Sequence, residues 1–388
     1  MKLFSSYIRN LVFIQLLFMG TPAQSQELYF DLRNNTGAAD FLFGSRLVEN
    51  ASYTSSSLAV SSVLSDISRA YLEFSHSHIY PFEKYSYSQG ELGLQLRYLK
   101  IRDNQFFAGL FVLVNDYEDE YSYYKNSGLG LYGKWKHYFK ASQLVTIGYD
   151  LNLKKYAEVT EASNTEHEIF ISYNQSFRTK TSLNLESAIA LQNFWPQTSE
   201  DSWGGSLSGD ELNNIPSKTL VTNKLRVSQS LGNKIGLTLW LSAQVLLNDK
   251  TDTSSLQDGL ENPFTDRFRW EGPSSALRLI YRLNPDNRFQ LSHAYASKSF
   301  VDVPVYRFDF ETMEYELNAG TLVNLGHDRE YVRNKIGFQW TKNWTLTRYD
   351  WVSGFELILG TGWTQNSSND PLYDYTSRNY SLSLNFNS

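Results

Sequence analysis

The sequence predicts an all-β chain closed into a single antiparallel, up-and-down transmembrane β-barrel. Three observations predict it: a two-residue hydrophobic alternation repeated along the chain, a regular exchange of short and long connections, and an export-type amino terminus. The clearest alternation is Ile235, Leu237, Leu239, Leu241, Ala243, Val245 and Leu247, with Gly236, Thr238, Trp240, Ser242, Gln244 and Leu246 between them. A strand puts the first set on one face, whereas a helix would scatter it. The run is long for a soluble strand, usually about five or six residues, and suits a tilted strand crossing a bilayer, which takes about 9–11.

The first 25 residues read as a secretory signal peptide. Lys2 and Arg9 precede the apolar stretch Leu11–Met19, and Gly20-Thr-Pro-Ala-Gln-Ser25 supplies small residues for cleavage after Ala23 or Ser25. That stretch is far shorter than the roughly 20 apolar residues a membrane helix needs, and no later segment reaches that length. A mean hydropathy of −0.41 looks soluble, but alternating strands carry too much polar surface for bulk hydropathy to register a barrel. The chain has no cysteine, which favours a bacterial envelope over a disulfide-rich secreted protein. Without Lys2 and Arg9 the mature chain holds 33 bases against 41 acids, a net of −8, which argues against nucleic acid as a partner.

Along residues 67–388 the same texture gives strands over 68–79, 89–101, 105–116, 127–139, 143–157, 167–178 and 182–193. It continues over 219–231, 234–248, 273–283, 288–300, 330–342, 350–363 and 375–387. Glu27–Arg33 and the Ser-rich segment 52–64 add two more, joined by a loop at 34–50, so sixteen strands is the first reading and fourteen the alternative. In the alternative, residues 26–66 are a periplasmic lead or small plug. Turn-like connections such as Arg102–Gln105, Leu231–Lys234 and Asn284–Asn287 exchange with long polar ones at 115–126, 158–166, 194–218, 248–272, 301–330 and 364–374. Short periplasmic turns and long extracellular loops are the outer-membrane pattern. A soluble propeller or sandwich does not predict it.

In lipid, a barrel turns its apolar set outward and its polar set toward the lumen. By that rule Arg97, Lys134, Lys136, Lys154, Arg178 and Lys224 point inward, as do Arg226, Arg278, Arg282, Arg288, Arg333 and Lys335. The inward acids are Glu73, Glu91, Asp150, Glu186 and Glu356. A barrel this wide holds a water-filled passage, and its basic excess favours anions. Tyr and Trp clusters such as Trp135–Tyr138, Trp340–Trp351 and Tyr373–Tyr375 fall near strand ends, where interfacial rings belong.

Catalytic and metal chemistry is weakly signalled. His76 and His78 share a strand face but lack a third ligand. His327-Asp328 could serve proton transfer only with acids brought from other loops. Asp116–Glu120 lacks the ordered spacing of a calcium loop, and no nucleophile elbow or phosphate-binding glycine loop appears. No enzyme activity and no cofactor is therefore expected.

The leader, the alternating strands, the long-short connections and the terminal Tyr380-x-Leu-x-Leu-x-Phe386 resemble Gram-negative outer-membrane β-barrels of porin type. The resemblance covers residues 27–388 and implies an outer-membrane location among lipid and lipopolysaccharide, with passive diffusion of small hydrophilic solutes. It further implies an assembly signal at Tyr380, Leu382, Leu384 and Phe386, read by the barrel-assembly machinery. Asn387 and Ser388 follow Phe386, a departure from the class, where the aromatic residue usually comes last. An export barrel, a surface-binding or adhesion barrel and, last, a loop-based hydrolase are the alternatives.

Overall fold

The computed structural model describes residues 28–387, apart from 44–46, 81–85, 102, 118–121, 123–124, 159, 196–216, 248–266, 310–311, 313, 319–320 and 346–353. The expected signal peptide lies outside these residues. The described chain is strand almost throughout. β1 (Leu28–Phe43), β2 (Leu47–Ser65), β3 (Ser68–Tyr80), β4 (Tyr87–Ile101) and β5 (Asn104–Tyr117) come first. Then follow β6 (Asn126–Lys140), β7 (Gln143–Tyr156), β8 (Asn164–Ser176), β9 (Thr181–Phe194), β10 (Lys218–Leu231) and β11 (Ile235–Leu246). After β12 (Trp270–Asn284) and β13 (Asn287–Tyr306) come four two-residue strands, β14 (Phe308–Asp309), β15 (Glu314–Tyr315), β16 (Leu317–Asn318) and β17 (Thr321–Leu322). The chain closes with β18 (Asn324–Thr345), β19 (Gly354–Ser368) and β20 (Tyr375–Asn387).

Sixteen of these form one closed barrel in sequence order, β1 to β13 followed by β18, β19 and β20, with β1 paired to β20 from Asp31↔Asn387 to Phe43↔Tyr375. Closure leaves no unpaired edge, the condition for a sheet to sit in lipid. The sixteen-strand reading stands and the fourteen-strand alternative falls, because β1 and β2 are wall strands.

Two expected loops are largely strand instead. Residues 34–43 and 47–50 extend β1 and β2, although Asn34–Ala38 carries no apolar alternation. There β1 is hydrogen-bonded along both edges, to β2 and to β20, so ladder pairing rather than side-chain pattern fixes the extended backbone. At 301–330, β13 runs on to Tyr306 and β18 starts at Asn324, while β14–β15 and β16–β17 form two small hairpins between them. Backbone bonds from Arg307 to Val323 and from Glu316 to Arg307 tie that arm together.

Directly opposed residues in an antiparallel pair share a face, so the register carries one face assignment from strand to strand. Followed around all sixteen pairings, it returns to its start without conflict. One face holds Leu110, Val112 and Val114 of β5, Ile169 and Ile171 of β8, and Leu382 of β20, all exposed. That is the lipid-facing exterior. Near the short-turn rim it also holds the adjoining rings of Trp344, Phe355 and Phe386, with centroids 5.1 Å apart at each step, an interfacial cluster.

Candidate functional site

Which face is the interior is settled by a cavity of about 810 Å³ lined by Tyr53 of β2, Ser77 of β3, Trp240 of β11, Lys298 of β13 and Arg333 of β18. Residues from strands so far apart in the sheet converge only inside the barrel. By register, Arg97, Lys134, Lys136, Lys224, Arg226, Arg278, Arg282, Arg333 and Lys335 lie on this inner face, together with Glu186 and Glu356. Arg178 does not. β8 ends at Ser176, and Arg178 sits in an exposed turn where Lys180 adopts φ 61° and Phe177 and Thr181 are bonded through their backbones. The apolar-polar alternation continues past the last ladder bond, which is why the residue reads as part of the wall.

The sequence reading passed over several inner-face charges, among them Asp31, Arg33, Arg69, Glu166, Glu168, Lys218 and Lys298. Parity with Glu73, Arg288 and the rest of each strand was the signal available for all of them.

The inner wall divides into two sectors. On β3 to β9, acids and bases are interspersed. Lys134 approaches Asp150 at 3.9 Å, Lys154 meets Glu166 at 2.7 Å, and Glu186 accepts from Lys224 of β10 at 2.8 Å. Aromatic rings in this sector lie over glycines of the neighbouring strand: Tyr71 over Gly93, Tyr132 over Gly109, Phe111 over Gly130 and Phe170 over Gly148. A Cβ added at any of these glycines would fall inside the ring. Glycine leaves room for each ring to lie flat on the wall rather than project into the passage.

On β10 to β13 and β18 the inner face carries no acid among the described residues from Lys218 to Phe300 and from Tyr331 to Thr341. It carries Arg226, Arg278, Arg282, Lys298, Arg333 and Lys335, none of which forms an ion pair among the described residues. Several rest on aromatic rings instead. Arg278 stands 4.5 Å over Trp240, and Lys298 stands 3.8 Å over Trp270. The exceptions are Lys224 of β10, paired with Glu186, and Arg288, which reaches Glu356 of β19 at 3.4 Å.

A short inward strap crosses between the sectors. The turn Arg267–Arg269, ahead of β12, buries Phe268 among the inner-face residues Ala190 and Leu220, with Leu246 packed beside them. Gln244 donates to the carbonyls of Arg267 and Trp270 at 3.1 and 2.6 Å. Arg267 bonds Glu168 and lies 3.6 Å from Glu166, both on β8.

Residues weighed for chemistry find bland partners. His76 and His78 face outward, with Nδ1 against the hydroxyls of Ser88 and Ser86 at 2.9 and 3.3 Å. Nδ1 of His327 lies 3.2 Å from the Leu325 carbonyl. Asp116 pairs with Lys125 at 3.2 Å, and most of the acidic run after it lies outside the described residues.

A closed sixteen-strand antiparallel barrel with an apolar exterior and a charged interior is the architecture of outer-membrane β-barrels. No protein-family model matches the chain, and no curated protein matches it. Among solved structures, it is similar to Acinetobacter baumannii OccAB1, with a TM-score of 0.50 at 10% identity over 93% of this chain and 96% of the other. It is equally similar to Pseudomonas aeruginosa OccK2 (OpdF), with a TM-score of 0.50 at 10% identity over 93% and 98%. A second OccK2 structure, in complex with glucuronate, matches at 0.50 over 93% and 96%. At such identities the likeness is one of fold.

Proposed function

We propose that the chain is a passive outer-membrane channel for small hydrophilic solutes, biased toward anions, and not an enzyme. One observation carries the bias: the acid-free inner sector of β10 to β13 and β18, where six cations stand without an acidic partner among the described residues. In a water-filled passage bounded by low-dielectric walls such a stripe attracts anions and repels cations. The paired sector opposite contributes little net field, since each close pair cancels at a distance. OccK2, of similar fold, forms a complex with glucuronate, a small anion, which supports the same bias here. Arg97, Lys134, Lys136, Arg226, Arg278 and Arg282 are the pore-lining bases in this reading.

Purified protein in a planar bilayer tests it. A stable open-channel current is expected, and a reversal potential in a KCl gradient is expected to report chloride preference. Absence of current across a range of salts removes the channel, and potassium preference removes the bias. Tyr380, Leu382, Leu384 and Phe386 face lipid on the closing strand and are assigned the assembly signal. Phe386→Asp is expected to deplete the heat-modifiable barrel from the outer membrane, and normal levels of folded protein there would remove that role.

A further inference from the structure

Within the acid-free sector, one place is built as a hollow. The register sets Ser274 opposite Ala296 and Ala276 opposite Ala294, so four small side chains form a floor on the inner faces of β12 and β13. Trp240 borders it on the β11 side, paired with Ala276. Arg333 and Lys335 border it on the β18 side, paired with Ala296 and Ala294. Lys298 stands at its long-loop end with Trp270. The β12–β13 ladder is interrupted there at Gly272-Pro273, where Gly272 holds φ 136° and Pro273 has no N–H to donate. Just before this gap, the Trp270 ring lies under the Lys298 ammonium at 3.8 Å. This hollow is part of the 810 Å³ cavity, whose lining includes no Asp or Glu.

The way the cations are held matters as much as their number. A carboxylate partner fixes a cation but cancels its charge. A ring face fixes it by its quadrupole and leaves the full charge for a ligand. Lys298 rests on Trp270 and also lies 5.7 Å from the Tyr331 ring, which Arg333 shares at 5.7 Å. Two cations are thus positioned on a common aromatic scaffold, with Lys335 beside them. A single negative charge would leave most of this field unmatched.

We propose that this hollow is a binding site for a small solute carrying at least two anionic ester groups, sulfate or phosphate, engaged by Lys298, Arg333 and Lys335. The proposal rests on the channel reading but names a site and a ligand class of its own. Small anions of one charge pass by it with weaker hold, and neutral sugars do not engage it.

Isothermal titration of the full-length barrel folded in detergent tests the site whether or not the protein conducts. The probes are glucose, glucuronate, fructose 1,6-bisphosphate and glucose 3,6-di-O-sulfate. The doubly esterified probes are expected to bind at least tenfold more tightly than glucuronate, and glucose not at all. If only one of the two binds, the site stands and the ester type is defined. Lys298→Gln and Arg333→Gln are each expected to weaken that binding about tenfold, whereas Lys234→Gln, in an exposed turn, removes the same charge without effect. Trp270→Leu changes no charge and is expected to weaken binding several-fold; Trp270→Phe, which keeps a ring, falls between and serves if the leucine variant does not fold. Equal binding of glucuronate and the bisphosphate, or unchanged binding in Lys298→Gln or in both folded Trp270 variants, overturns the site. A bilayer current that persists in that event shows that the channel reading survives it.

Discussion

The two sectors of the inner wall solve the same problem, keeping charge inside a protein, in opposite ways. On β3 to β9 bases lie among acids, as Lys154 meets Glu166 and Lys134 approaches Asp150, although Lys136 rests on the Phe107 ring at 4.6 Å. On β10 to β13 and β18 several meet rings instead, as Arg278 meets Trp240. The first arrangement is electrically quiet and tolerates flat-lying aromatics over glycine. The second keeps an uncancelled field, which stays affordable because the interior of a wide barrel remains hydrated. Wall chemistry, more than strand number, therefore separates a neutral pore from a selective one.

Removing the field of the second sector is the largest perturbation of this contrast. The triple substitution Arg226→Gln, Arg278→Gln and Arg282→Gln takes away three inner cations and breaks no described ion pair. The reversal potential in a KCl gradient is expected to lose much of its chloride preference, because half of the six inner cations without an acidic partner are gone. Unchanged selectivity would mean that the two sectors do not differ in function.

The strap is the bridge between sectors and the next largest lever. Arg267 supplies from the β11–β12 connection the positive charge that Glu166 and Glu168 face. Arg267→Gln is expected to lower anion preference, since two inner acids lose a partner and Lys154 offsets only one of them. With Arg267 38% exposed, the stability change should stay at or below about 1 kcal/mol. Phe268→Ala removes the buried anchor, where such truncations cost about 3–5 kcal/mol, enough to undock the turn. Larger single-channel conductance and new protease cleavage before β12 are the expected readouts.

Much of this was legible in the sequence and some of it could not be. Strands such as β11 announce themselves because lipid on one side and water on the other impose a strict alternation on Ile235 to Val245. Inner-face parity followed for Arg226, Arg278 and Arg333, since no bulge intervenes between each of them and its strand's apolar set. β1 and β2 were hard to bound because both edges of β1 are paired, so backbone bonding substitutes for an apolar signal in Asn34–Ala38. The strap was illegible: Arg267-Phe268-Arg269 is three residues of a long polar connection, and nothing local says that Phe268 reaches Leu220 of β10. Pairs such as Arg288 with Glu356 join strands that are not sheet neighbours, a consequence of curvature that no periodicity encodes.

The aromatic paving of the quiet sector can be tested by steric load. Gly130→Val places a branched side chain where the Phe111 ring lies. Overpacking of this kind costs about 1–3 kcal/mol, so a lower unfolding temperature on heat-modifiability gels is expected. The displaced ring should also narrow the passage, giving a modest fall in conductance at unchanged selectivity. A variant with full stability would show that the ring swings away without cost.

The finest test sits on the boundary, where Lys224 of β10 donates to Glu186 of β9 at 2.8 Å. Lys224 is 54% exposed and Glu186 28%, so the pair itself is worth about 0–1 kcal/mol and either substitution should leave stability nearly unchanged. Selectivity should split by sign. Lys224→Gln leaves Glu186 uncompensated at the edge of the acid-free sector and lowers chloride preference, while Glu186→Gln frees Lys224 and raises it. Each shift should be smaller than that of the triple arginine variant, because one boundary charge is being changed rather than a stripe. If both variants moved the reversal potential in the same direction, the boundary between a cancelled and an uncancelled sector would not lie between β9 and β10.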